Sequence, residues 1–139
     1  MPHPFSFLVP SPHATSSETE GLATFPTLGR RECAKAAGGF PEYEQHNLAD
    51  QLRRASYSVP LNIAEGSSRR GSREYRKYLD TAWASLAEVQ TALEIARDIG
   101  YLQPAEFGRL EALAVETSKT LFGLLRKISE SASNTPKSR

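Results

Sequence analysis

The chain has 139 residues, room for one domain, with 39% hydrophobic and 24% charged residues, which falls in the globular range. Seventeen Lys+Arg against sixteen Asp+Glu leave a net charge of +1, so total charge selects no class of partner and only its local distribution can. The single cysteine, Cys33, excludes a disulfide framework and fits a reducing compartment. No apolar run approaches the roughly 20 residues needed to cross a bilayer, so no membrane role is expected.

At the N-terminus, Phe5, Phe7, Leu8 and Val9 are interrupted by Pro2, Pro4, Pro10 and Pro12, and no basic residue precedes them. That is not the pattern of a signal peptide, and the cytoplasm is the expected compartment. Pro26 extends the proline-rich stretch, and proline both breaks a helix ladder and biases its predecessor toward extended geometry. The one helical run here, residues 30–37, spans about two turns before Gly38 and Gly39, too short to persist alone. Residues 1–39 are therefore expected to be disordered or atypical, residues 40–131 to form a helical bundle domain, and residues 132–139 to be a flexible tail.

From about residue 45 the pattern becomes helical. Leu48, Leu52, Ala55, Val59 and Asn62 recur at steps of four and three, one face of a helix over 45–66. Gly66 suits the left-handed position that ends such a helix. Pro60, inside it, predicts a kink, since it removes one hydrogen bond and crowds the carbonyl of Ser56. Asn62, on the apolar face, reads as a buried polar residue that fixes register, and Glu65 as a local cap or arginine partner. After Ser67, Ser68, Arg69 and Arg70, Ser72 or Gly71 caps a second helix over 72–99, with Glu74 placed against its N-terminal dipole.

That helix carries an unbroken seam of Tyr75, Leu79, Ala82, Leu86, Val89, Leu93 and Ala96, and ends at Gly100. Pro104 opens a third, over 104–130, with Phe107, Leu110, Ala114, Thr117, Leu121, Leu124 and Ile128 at the same spacing. Near-equal lengths of about 40 Å and a short connection make these two antiparallel neighbours. Tyr78, Trp83, Ala92, Ile95 and Ile99 widen one seam, and Leu113, Phe122 and Leu125 the other. Faces that broad must be covered on more than one side, by further helices or other subunits. The fold class is all-α, an antiparallel up-and-down bundle.

Charge concentrates where the first two of these helices meet. Arg53, Arg54, Arg69, Arg70, Arg73, Arg76 and Lys77 stand against Asp50, Glu65 and Glu74, a local balance of +4. Guanidinium groups on the connecting loop suit bidentate capture of phosphates, and Tyr75 and Tyr78 lie close enough to stack on bases. The competing reading is a solvated surface, or arginines paired with carboxylates across an oligomer interface. Catalysis finds no support. His3 and His13 lie in the tail, and His46 has only Glu42 at helical spacing, so no metal site is expected. Ser56, Ser58, Ser67 and Ser68 lack an activating base, no phosphate-cradling glycine loop occurs, and no cofactor is expected.

The stretch Gln51 to Ala55, then Val59, Pro60, Leu61, Asn62, Ile63, Ala64, Glu65 and Gly66, with Arg69, Arg70, Glu74, Tyr75, Tyr78 and Leu79, resembles the four helix bundle proteins, also called the 23S ribosomal RNA intervening-sequence proteins. Residues 86–97, Gly100, Tyr101 and Leu102 continue the likeness, and Phe40 and Pro41 fit the approach to the second helix. The resemblance covers about residues 40–128. It implies a non-enzymatic four-helix bundle that assembles as a homo-oligomer, typically a pentamer. Through a related group of retroelement accessory proteins it also implies RNA or DNA and a protein partner as ligands. The family's long amphipathic first helix has no counterpart in residues 16–39, so that helix is expected to be missing, replaced, or lost to a frameshift or misplaced start codon. Three helices alone would leave an apolar groove and a less stable bundle. The alternative function is a structural or protein-interaction oligomer with no nucleic-acid role.

Overall fold

The protein is described by a computed structural model over residues 29–134. What the sequence suggests for residues 1–28, including the proline-rich stretch, and for residues 135–139 lies outside the described residues. Among the described residues four α-helices follow one another, α1 (Arg30–Gly38), α2 (Leu48–Ser67), α3 (Ser72–Asp98) and α4 (Pro104–Ser133), with a 3-10 turn at Glu42–Glu44 between the first two. No strand occurs among the described residues. Each helix packs against the next in the chain, so α3 is sandwiched between α2 and α4.

The seams of α3 and α4 match the sequence periodicity residue for residue. All seven positions from Tyr75 to Ala96 are buried, as are all seven from Phe107 to Ile128. On α2 the face shifts. Leu52, Ala55 and Val59 are buried, but after Val59 and Pro60 the buried positions are Ile63 and Gly66 rather than Asn62. A straight helix drifts by about 20° per heptad from a strict four-three alternation, and on α2 the core continues at Ile63, four residues after Val59. Asn62 is therefore half-buried, and the polar contact between helices is made by its neighbours: Ser58 Oγ and Ser85 Oγ lie 2.7 Å apart. Asn62 Nδ2 donates to the Ser58 carbonyl and hydroxyl at 2.8 and 3.0 Å, holding Ser58 in place.

Gly66 also plays a different part from the one its sequence position suggests. It lies inside α2, and only Gly71 and Gly100 adopt positive φ among the described residues, at 90° and 84°. A Cβ on Gly66 would come within 2.8 Å of Tyr75 Cδ2 and Tyr78 Cβ, so the missing side chain is what lets α2 and α3 converge there. The left-handed helix end falls at Gly100 instead. There Tyr101 N–H donates to the Ala96 carbonyl at 2.8 Å and Gly100 N–H to that of Arg97 at 3.0 Å, satisfying the terminal carbonyls of α3. Pro104 occupies the first turn of α4, where its missing N–H costs nothing. Pro60 is buried and α2 runs unbroken through it.

Residues 30–38 correct the sequence reading of the N-terminal segment. They form α1, a helix of nine residues whose Cys33, Ala36 and Ala37 are buried against the bundle. Small side chains let α1 approach α2 closely, and that tertiary burial supplies what a helix this short lacks alone. Bundle packing thus begins near Arg30 rather than Phe40, and the helical run at residues 30–37, expected to be too short to persist alone, is a helix held by the bundle. At about 14 Å it is half the length of α2. Beyond it Tyr57 and Leu61 of α2 stay exposed. An open apolar groove of about 560 Å³ remains beside α1, floored by Ala112 and Leu113 of α4. Glu32 and Arg109 bridge its rim at 3.3 Å.

The connection from α1 to α2 is locked by side chains. Gln45 Nε2 donates to the carbonyls of Ala37 and Phe40 at 3.1 and 2.9 Å, while Arg53 donates to Gln45 Oε1 at 3.0 Å and to its carbonyl at 2.7 Å. Phe40, itself buried, stacks at 5.4 Å on Tyr101 from the α3–α4 connection. The Tyr101 hydroxyl contacts Tyr43 Oη at 3.1 Å and Glu44 Oε1 at 3.0 Å. One end of the bundle is thereby sewn together.

Two glycines give opposite predictions. Gly66→Ala should destabilise the fold by about 1–3 kcal/mol through overpacking against the tyrosines. Gly108→Ala, where a Cβ meets nothing within 4 Å, should stabilise it by about 0.5–1 kcal/mol through helix propensity. Urea unfolding of both variants checks the pair.

Cys33 gives a third prediction. Burial, and secondarily the neighbouring Glu32, push its thiol from 9.0 up to about 12. The fold thus favours the neutral thiol, and that contribution is complete below about pH 9 and lost as pH rises toward 12. The unfolding midpoint should fall more steeply over that window in the wild type than in Cys33→Ala.

Candidate nucleic-acid interface

The arginine-rich segment of the sequence falls at the opposite end of the bundle, on the last turn of α2, residues 68–71 and the first turns of α3. The fold distributes its seven cations unequally. Arg53 is half-buried and committed to Gln45, a structural role that places it in the α1–α2 connection rather than at this end. Its use depends on a glutamine eight residues away, which helical spacing alone does not reveal. Arg54 reaches Asp50 at 3.7 Å on the exposed side of α2.

Arg69 is not free, as the sequence suggested. It pairs with Glu65 one turn back and lies with its guanidinium 5.3 Å from the centre of the Tyr78 ring. The hydrogen bond it donates to the Glu65 carboxylate holds its pKa above the ordinary guanidinium value, so it stays charged. Glu65 is thus the local arginine partner that its position suggested. Tyr78 is half-buried beneath Arg69, and Tyr75 is buried against Gly66, so neither ring offers a face to a base.

Arg70 and Arg73 differ from the rest. Both are exposed, and neither makes an ion pair, hydrogen bond or ring contact among the described residues. Gly71, between them, turns the chain at φ 90° and ψ 147° and starts α3, which projects the two side chains from a sharp bend. Arg76 and Lys77 follow on α3 in exposed pairs with Asp80 at 3.9 Å and Glu74 at 3.1 Å. Exposed pairs of this kind contribute at most about 1 kcal/mol each and exchange readily for another anion.

The antiparallel course of α4 brings a further cation to the same end. Arg126 lines a slot with Arg76, beside the exposed rings of Trp83 and Phe122. The sequence reading did not include Arg126. Antiparallel pairing about the Gly100 turn brings positions equidistant from it to one level, and that rule would have found it. Elsewhere charge is consumed by the fold: Arg97 lies 4.4 Å over the Phe107 ring and Arg109 pairs with Glu32. His46 is exposed, and among the described residues no three His, Cys, Asp or Glu side chains cluster to hold a metal ion. No described helix is long and apolar enough to cross a membrane.

A comparison with curated proteins returns no match. The family profile described as 23S rRNA-intervening sequence protein matches residues 30–123. The match starts at the first residue of α1 and ends at Gly123 within α4, so it reaches all four described helices. With more than half of the chain matched and an all-helical bundle observed, the chain belongs to the 23S rRNA-intervening sequence protein family.

Proposed function

We propose that this protein is a non-enzymatic, homo-oligomeric bundle that binds RNA or DNA through the α2–α3 end. The observation that carries the reading is the pair Arg70 and Arg73, exposed guanidinium groups that the fold leaves without partners among the described residues. They act as the first phosphate contacts. Arg69, Arg76 and Lys77 surround them with further positive charge, and Arg54 extends it along α2. Neighbouring anions, Glu65, Glu74 and Asp80, already face these cations in exposed pairs, so a phosphate competes for them at little cost. Assembly into a ring, a pentamer by family resemblance, repeats the patch around one axis and raises avidity without a new kind of contact. The cytoplasm is the compartment that suits such a ligand.

A second reading is a structural or protein-interaction oligomer, favoured by the exposed Leu61 of α2 and by the exposed Ile95 and Ile99, which lie at the other end of α3 from the basic loop. Salt separates the two. Binding of a labelled RNA should weaken steeply between 50 and 200 mM salt, as expected when counterions are released. Arg70→Ala with Arg73→Ala should flatten the log–log salt slope by roughly 1.5–2, in line with two lost phosphate contacts. Arg53→Ala serves as the contrast: it should lower stability by about 1–3 kcal/mol through lost charge-assisted hydrogen bonds and leave the slope unchanged. RNA binding that is absent, or indifferent to salt, would leave the structural reading.

A further inference from the structure

Between α3 and α4, at the basic end, lies a slot of about 380 Å³ lined by Arg76, Asp80, Trp83, Phe122, Leu125 and Arg126. Trp83 and Phe122 pack with ring centroids 6.0 Å apart and planes tilted by 47°, yet remain 39% and 56% exposed. A guanidinium stands on each wall. Arg76 reaches Asp80 at 3.9 Å and Arg126 reaches Glu130 at 3.8 Å, both loose and solvated. Arg73, Arg76 and Trp83 fall on one side of α3 at 100° per residue, and from Arg73 to Trp83 the helix rises about 15 Å. That is the span of two or three nucleotides of an extended strand.

We propose that this slot is a stacking site for an unpaired nucleobase, so that the ligand of the basic end is single-stranded RNA or DNA. The inference rests on the reading of Arg70 and Arg73 as phosphate contacts and goes beyond it in selecting the strand. Aromatic faces bind any base by stacking, whereas a duplex keeps its base faces covered. The charge of Arg70 and Arg73 at the same end, unpaired among the described residues, and the solvation of the slot's rim favour a nucleic acid over a second copy of the chain. The rim holds four charged groups, Arg76, Asp80, Arg126 and Glu130, which a protein interface would have to desolvate. A strand exchanges the two carboxylates for its own phosphates and leaves all of them in water. Asp80 stands on the rim itself, so a phosphate must draw Arg76 from it.

Trp83 is the single tryptophan of the chain, and its emission therefore reports on the slot. The full chain is titrated with an eight-nucleotide oligo(U), an oligo(dT) of the same length and a duplex of that length, with anisotropy of labelled strands as an independent measure of binding. Saturable quenching by the single strands is expected, at the midpoint given by anisotropy, with binding to the duplex at least tenfold weaker. Phe122→Leu keeps an apolar side chain but loses the ring, and should weaken single-strand binding about tenfold. Its far-ultraviolet circular dichroism should match the wild type.

Single-strand binding that leaves Trp83 emission unchanged, or that Phe122→Leu does not weaken, would overturn the stacking site while the Arg70 and Arg73 reading stands. No anisotropy change with any nucleic acid would overturn both. An emission shift that follows protein concentration and ignores oligonucleotide would assign the slot to a contact between copies, and would likewise overturn it.

Discussion

The structure depends on α3 burying its seam on two sides at once. Tyr75 through Ala96 pack against α2 on one flank and α4 on the other, and those two helices share no other extensive contact. Each of the outer helices is held by apolar burial along α3 and by short connections at its ends. The α2 side tolerates little change, because Gly66 admits no Cβ above Tyr75 and Tyr78 and Ser58 meets Ser85 at hydrogen-bond distance. On the α4 side a wider seam of Leu and Ile residues does the packing, and at its outer edge two aromatic rings stay accessible.

The two ends of the bundle use their charge differently. At the Phe40 end, Arg53 binds Gln45 within the α1–α2 connection and Tyr101 binds Glu44 across to the α3–α4 connection, and little polar capacity is left for a ligand. At the opposite end the loop is short, turned by Gly71, and its arginines are spent only in part: Arg69 on Glu65 and Tyr78, Arg70 and Arg73 on nothing described. A near-neutral protein can therefore present a strongly polarised surface. The fold assigns the basic residues of one stretch to two tasks, holding the chain at one end and offering charge at the other.

The long helices were legible in the sequence because burial and periodicity coincide on α3 and α4. Seam, caps and turn residues all agree there, down to Gly100 and Pro104. On α2 the periodicity was legible only to Val59; beyond it the core continues at Ile63 rather than Asn62, and close approach rather than backbone freedom explained Gly66. The run that becomes α1 was legible, but its docking on the bundle was hidden for a physical reason. Cys33, Ala36 and Ala37 carry little hydrophobic signal, and small size is what lets them pack. The basic cluster was visible as composition, but its division between Arg53 and Arg70 depends on side-chain partners that spacing does not disclose. Likewise Arg126 and the Trp83–Phe122 slot require the antiparallel register before they come together.

The central claim is that one end of the bundle is closed by its own interactions and the other is open to a polyanion. Hydrogen–deuterium exchange of the full chain, with and without saturating oligo(U), tests this most directly. The account predicts added protection in residues 68–83 and 120–130, with residues 38–47 and 99–103 unchanged. Protection concentrated at the Phe40–Tyr101 end, or spread evenly over the bundle, would contradict it.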